Sequence, residues 1–179
     1  GANLNGANLN WANLSGARLS GATLYGTFLN GVNLSEAFLN GVDLNGVDLN
    51  GANLSEAKLS GTQLQVANLA ASNLSEAQMR GVNLMEADLT GADLTRASLK
   101  KANLKWANLT KADLREANLS EANLLGAKID GAEFTGVTMP DATRRYLCAI
   151  AKGSTAWTCQ ETKATLNCAP NFAIQAVVN

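Results

Sequence analysis

The sequence predicts an all-β solenoid, a chain wound in short extended pieces around an apolar axis. Three observations predict it. From Leu4 to Met139 every fifth residue is leucine, except Met79, Ile129, Phe134 and Met139. The residue two before each of these is always Ala, Val, Thr or Ser. The residue between them is most often Asn or Asp, as at Asn3, Asn53 and Asp113.

A period of five suits neither regular structure. On an α-helix five residues advance about 500°, so successive leucines would drift by about 140° and form no stripe. On an uninterrupted strand an odd spacing sends alternate leucines to opposite faces. Within one quintet, however, the small residue and the leucine share a face while Asn or Asp points away. An extended piece followed by a corner keeps every leucine inside. The corner falls on Ser55-Glu56 or Asn45-Gly46, which is turn chemistry, and the recurring glycines there permit a positive φ. Coils then stack through backbone ladders about 4.8 Å apart. The second residue is small because it sits beside a corner in a close-packed interior.

Tandem A-(N/D)-L-x-x quintets, twenty-eight without insertion or deletion, resemble the pentapeptide-repeat family over residues 1 to about 140. The resemblance implies a right-handed quadrilateral parallel β-helix with one quintet per side. Four quintets per coil give about seven coils, a rod roughly 34 Å long at that ladder spacing. The chain then divides into a β-helix at 1–140 and a short helical C-terminal cap with its tail at 141–179.

A stacked coil exposes strand edges at its ends and needs caps. Periodicity stops at "GVTMPDATRRYLCAIAKGSTAW". Pro140 breaks the ladder, Asp141 is the expected N-cap, and 142–152 reads as a helix closed by Gly153. Its Tyr146, Leu147, Ile150 and Ala151 would cover the last ring of Ile129, Phe134 and Met139. A second helix is expected from Thr155 to about Leu166 with Ser154 as its cap. The apolar tail "PNFAIQAVVN" is expected to lie on the cap or on a neighbouring chain.

Three cysteines, at 148, 159 and 168, allow three single pairings. "MPDATRRYLC…TKATLNC" resembles the cap of pentapeptide-repeat proteins from cyanobacteria and the plant thylakoid lumen. That resemblance implies a Cys148–Cys168 disulfide and leaves Cys159 as the extra thiol. A disulfide would imply an oxidising compartment, thylakoid lumen or periplasm. The alternative is a cytoplasmic protein with three reduced thiols. C-x8-C without histidine argues against zinc.

Composition narrows the chemistry. The 179 residues fit one domain, and 14 basic against 15 acidic side chains leave a formal charge of −1. Such a charge gives no global attraction to nucleic acid or an anionic membrane. No run approaches the roughly 20 apolar residues of a membrane span. The chain opens in the repeat at Gly1 without an initiator methionine, so a processed start is expected and no compartment is read from it. There is no histidine, the commonest general base. Serines recur as columns with no base to activate one, no glycine-rich phosphate loop appears, and a leucine-filled bore should leave no pocket. The expectation is a non-enzyme without cofactor or metal.

Positions 20 apart should stack as columns. Asn13, Asn33, Asn53, Asn73, Asp93, Asp113 and Glu133 run beside Ser15, Ser35, Ser55, Ser75, Thr95, Arg115 and Thr135. These read as hydrogen-bonded ladders, with an ice-binding face as a minor alternative. Glu36, Glu56, Glu76, Arg96 and Glu116 stack at one corner as a solvated edge, since carboxylates along a line do not surround a cation. Lys100, Lys101, Lys105 and Lys111 are interleaved with acids and read as a salt-bridged surface.

Outward aromatics are the least ordinary feature. Trp11, Tyr25, Phe28 and Phe38 all stand at outward positions of the first two coils, and they form the candidate interaction patch. The function class predicted is therefore a scaffold or protein-interaction module with an unidentified protein partner. A homo-oligomer through the N-terminal coils or the C-terminal tail is also compatible. The alternative, carried by the resemblance, is a DNA mimic that inhibits a type II topoisomerase; those relatives are strongly acidic, and this chain is not.

Overall fold

The polypeptide closes one coil every twenty residues. Parallel single-residue bridges join Asn3 to Thr23, Asn33 to Asn53, Asn53 to Asn73 and onward to Asn118 with Thr138. The computed structural model describes residues 1–153 and 162–168. Among these, no side of the coil is long enough to form a continuous strand. Each quintet contributes one bridging residue and then turns.

The quintet Ala52–Glu56 shows why five residues suffice. Asn53 N–H donates backward to Val32 C=O at 2.9 Å, and Leu54 N–H forward to Asn73 C=O at 2.7 Å. Ser55 N–H donates to Asn53 Oδ1 at 3.1 Å, Glu56 N–H to Ser75 C=O at 2.9 Å, and Ala57 N–H closes the turn on Leu54 C=O at 3.1 Å. Every backbone donor is thereby satisfied, as a buried ladder demands. The turn from Leu54 to Ala57 carries its positive φ at Glu56, +58°, the arrangement of a type II turn. The corner imposes this conformation whatever residue occupies it: Trp11, Glu36, Val66 and Lys101 all adopt it beside the glycines.

The asparagine at the third position therefore does more than form a ladder. Its side-chain oxygen takes the N–H two residues on, an Asx turn that serves the one donor no neighbouring coil reaches. Amide-to-amide bonds between coils, such as Asn103 Nδ2 to Asn83 Oδ1 at 3.0 Å, come in addition. Where the third position is Thr23, Phe28, Lys58 or Gln63, an asparagine one coil back replaces it. Asn5, Asn10, Asn40 and Asn45 accept from Tyr25, Asn30, Ser60 and Gln65 N–H respectively.

Inside, leucines from Leu24 to Leu119 are buried with the small residues between them. Hydroxyls at the small position are satisfied locally: Thr62 Oγ1 donates to Leu39 C=O at 2.8 Å and Ser72 Oγ to Leu69 C=O at 2.7 Å.

The first helix begins one residue earlier than the sequence suggested. Helix α1 spans Asp141–Ile150, with Pro140 rather than Asp141 at the N-cap position. Pro140 has φ −63° and ψ 147°, extended geometry that its ring favours, and Asp141 places a carboxylate in the first turn near the helix's positive end. The helix ends at Ile150, before Gly153. Helix α2 covers Thr162–Thr165; the rest of the expected second helix, Cys159 and the tail lie outside the described residues. Leu147 and Ala151 are buried on the last coil, with Tyr146 and Ile150 half-buried beside them.

Candidate functional site

The four sides of the coil separate the aromatic candidates. Tyr25 and Phe28 border the side formed by residues 26–30, and Trp11 stands at its far corner one coil below. They are 87%, 57% and 77% exposed. Phe38, ten residues after Phe28, occupies the opposite side, where Arg18 lies over its ring at 5.5 Å. The structure thus brings Trp11, Tyr25 and Phe28 to one side and leaves Phe38 apart.

Trp11 needs room that the next coil provides. A Cβ at Gly31 would approach the Trp11 ring to 2.2 Å, and one at Gly126 would approach the Trp106 ring equally closely. A corner tryptophan followed twenty residues later by glycine is therefore a packing unit. Sequence reading passed over the second such unit. Trp106, half exposed, meets Lys105 Nζ at 3.9 Å from its ring centroid, and the exposed Leu125 stands nearby in sequence register. The signal was present, since Trp106–Gly126 repeats the Trp11–Gly31 spacing.

Clefts lie on the surface and not in the leucine-filled bore, and one of them marks a break in the ladder. Between residues 21–30 and 41–50 the ladder stops. Leu24, Gly26 and Leu29 N–H find no carbonyl on the coil above, and Asp43 and Asp48 N–H find none below, whereas their equivalents at the other junctions between two stacked coils are paired. The bridges Thr23–Asp43 and Phe28–Asp48 are likewise missing from the series. The same two coils remain joined on their other two sides, as by Leu34 N–H to Asn53 C=O at 2.7 Å and Leu39 N–H to Lys58 C=O at 2.8 Å. The backbone seam is therefore a wedge, unladdered on two sides and crossed by Asn30 Nδ2, which donates to Asp48 Oδ2 at 3.5 Å. It holds a cleft of about 340 Å³ lined by Asn5, Thr23, Leu24, Tyr25, Asp43 and Val47 among others. Its upper coil carries Val42 and Val47 at adjacent small positions, a pairing no other coil has.

The charged columns are paired within the molecule. Arg96 donates to Glu116 Oε2 at 2.9 Å and lies 3.4 Å from Glu76 Oε1. The hydrogen bond that Arg96 donates to Glu116, then the charge of that carboxylate, and then the bond donated to Glu76 raise the Arg96 pKa. Arg115 clamps the buried Asp113 carboxylate at 2.6 Å, and this bond raises the Arg115 pKa in turn. Glu121 meets both Lys100 and Lys101 at 3.4 and 3.3 Å. Desolvation alone would raise its carboxyl, but the two lysines outweigh it and hold the carboxyl below its ordinary range. Serine hydroxyls in the columns are turned to their own chain, as Ser75 Oγ to Asn73 Oδ1 at 2.7 Å. Among the described residues no cluster of His, Cys, Asp or Glu is gathered around a common point for a metal.

At the C-terminal end, Cys148 of α1 and Cys168 are joined by a disulfide, with their Cα atoms 5.8 Å apart. The cap supplies acceptors where a further coil would place carbonyls. Gly126 N–H donates to Tyr146 Oη at 2.8 Å, Gly131 N–H to Lys152 C=O at 3.1 Å, and Phe134 N–H to Thr165 Oγ1 at 3.1 Å. No described helix is long and apolar enough to cross a membrane.

Comparison with known proteins shows the family. The family model described as pentapeptide repeats (8 copies) matches residues 1–31, 29–65, 62–100 and 97–136. Among solved structures, a pentapeptide repeat protein from the Arabidopsis thaliana thylakoid lumen is 33% identical, over 78% of this chain and 90% of that one, with a TM-score of 0.48. HetL, a pentapeptide repeat protein involved in heterocyst differentiation regulation in the cyanobacterium Nostoc, is 34% identical over 78% and 75%, with a TM-score of 0.35. QnrB1, a plasmid-mediated fluoroquinolone resistance protein, is 16% identical over 83% and 96%, with a TM-score of 0.36. No curated protein matches the chain.

Proposed function

Because the chain belongs to the pentapeptide-repeat family, we propose that it acts without catalysis, as a scaffold that presents one aromatic-edged side to a protein partner. The observation that carries this reading is the exposure of Trp11, Tyr25 and Phe28 around a single side of the coil. Large aromatics held out on a rigid frame bring apolar contact area at little entropic cost to the partner. In the same reading the molecule is a right-handed, four-sided β-helix of about seven coils over 1–140, closed by a helical cap from 141 to 179.

The Cys148–Cys168 bond supports an oxidising location, thylakoid lumen or periplasm, over the cytoplasm. The topoisomerase-inhibitor alternative draws no support from charge, since a formal −1 provides no polyanionic surface. A gyrase supercoiling assay is expected to show no inhibition. The scaffold reading is tested with Phe28→Asp plus Trp11→Ser. The variant keeps the wild-type circular dichroism and unfolding midpoint but loses self- or partner association in light scattering. Association that persists unchanged overturns the reading.

A further inference from the structure

The parted seam has the chemistry of an incomplete sheet. On its lower lip the N–H groups of Leu24, Gly26 and Leu29 have no ladder partner; on its upper lip those of Asp43 and Asp48 have none. The same positions in adjoining coils bond straight across, as Leu4 N–H to Thr23 C=O and Leu44 N–H to Gln63 C=O, so these groups point into the gap. Along each of the two sides a short extended piece of polypeptide can offer donors and acceptors to these lips, with one bend at the corner between them.

We propose that the seam between residues 21–30 and 41–50 is a docking slot for an extended, basic peptide segment of a partner protein. This deepens the scaffold reading and rests on it. Size favours one extended segment: about 340 Å³ is at the small end of binding clefts, and a helix about 10 Å across does not enter it. Charge selects the segment. Asp43 and Asp48 stand exposed on the upper lip; Asp43 accepts from Asn45 N–H and Asp48 from Asn50 N–H, Asn68 Nδ2 and Asn30 Nδ2, all neutral donors, and no described lysine or arginine pairs with either. Between the lips, Ala22, Leu24 and Val47 offer an apolar floor for the alternate side chains. Tyr25 stands at the mouth, which makes the slot continuous with the aromatic side. Val42 and Val47 hold the coils apart, so the slot is built before any ligand arrives.

Residue-resolved hydrogen exchange on the full chain tests this first. The amides of Leu24, Gly26, Leu29, Asp43 and Asp48 are expected to exchange much faster than those of Leu44, Leu49, Leu54 and Leu59. Equal protection means a closed seam and overturns the slot while leaving the aromatic side untouched. The probe is then a synthetic acetylated, amidated octapeptide of alternating lysine and valine. It is expected to protect the five seam amides, and methylating alternate backbone nitrogens or exchanging lysine for glutamate weakens binding about tenfold or more, as lost backbone and charge-assisted bonds require. Asp43→Asn weakens it less, and Val42→Ala plus Val47→Ala, which lets the coils close, abolishes it. Binding that ignores backbone methylation, or protection that falls outside the seam, overturns the proposal. The Phe28→Asp plus Trp11→Ser variant keeps its seam exchange pattern, so failure of the slot and failure of the aromatic-side reading are read separately.

Discussion

Asn40 Oδ1 accepts the N–H of Ser60, twenty residues on, at 3.0 Å. In most quintets that donor is served by an asparagine or aspartate two residues before it, but Lys58 stands there. The two solutions are alternatives for one backbone group. Asn40→Ala is therefore expected to cost about 1 kcal/mol, a typical net hydrogen bond. Adding Lys58→Asn restores the local acceptor and recovers most of the loss. A double-mutant cycle in urea checks it, and purely additive effects would refute the compensation.

The fold was legible because its rule is one-dimensional. A five-residue period forces a corner after every leucine; the number of corners per coil does not follow from the period and came from the family resemblance, and the bridges give a twenty-residue register. The Asn40–Ser60 exchange was not legible, because it depends on which of two positions in successive coils carries the acceptor. The seam was hidden for a similar reason. Val42 and Val47 each conform to the small-residue pattern; only their adjacency at two corners of one coil matters. The separation of Phe38 from Phe28 was legible in principle, since ten residues is half a coil. Trp106 was legible in the same way, since its spacing to Gly126 copies that of Trp11 to Gly31.

Corner residues make a second prediction. Val66 holds φ +57° while 62% exposed, so a branched side chain bears the left-handed strain and little packing offsets it. Val66→Gly removes a cost of about 1–2 kcal/mol and adds back part of it as unfolded-chain entropy. The expected result is a net gain of about 0.5–1 kcal/mol. Gly46→Ala, at φ +65°, should lose a similar amount. Thermal unfolding of the two variants checks both signs, and a lower midpoint for Val66→Gly would contradict the strain argument.

Glu121 supplies a pH dependence with a defined sign. Its carboxyl is held below the ordinary value of 4.5 by Lys101 and Lys100. A depressed carboxyl contributes stability that is present above the ordinary value and is lost as pH falls through the folded-state value. Lys100→Ala plus Lys101→Ala removes the two cations and leaves the desolvation. The Glu121 midpoint in an NMR titration is then expected to rise, and the acid limb of stability below pH 4.5 to flatten. An unmoved midpoint would show that the lysines do not set it.

Tyr146, Lys152 and Thr165 supply three acceptors to the edge of residues 126–134, and the disulfide joins two of the contributing segments. Thr165 takes the buried Phe134 N–H, and Tyr146 takes that of Gly126. Thr165→Val keeps the shape but orphans a buried donor, at a cost of about 1–3 kcal/mol. Tyr146→Phe costs less, because water reaches the exposed Gly126 amide. Cys148 and Cys168 are 20 residues apart, and opening a loop of that length releases about 3 kcal/mol of chain entropy to the unfolded cap. Cys148→Ser should therefore raise amide exchange at Gly126, Gly131 and Phe134 together, while Leu54 and Leu59 N–H in the middle of the rod stay protected. The distinction follows from the architecture, since each coil contacts only its neighbours and a lost cap frays the stack from its end. Exchange that rises uniformly along the whole rod would mean that the cap and the coils unfold as one cooperative unit, contrary to this reading.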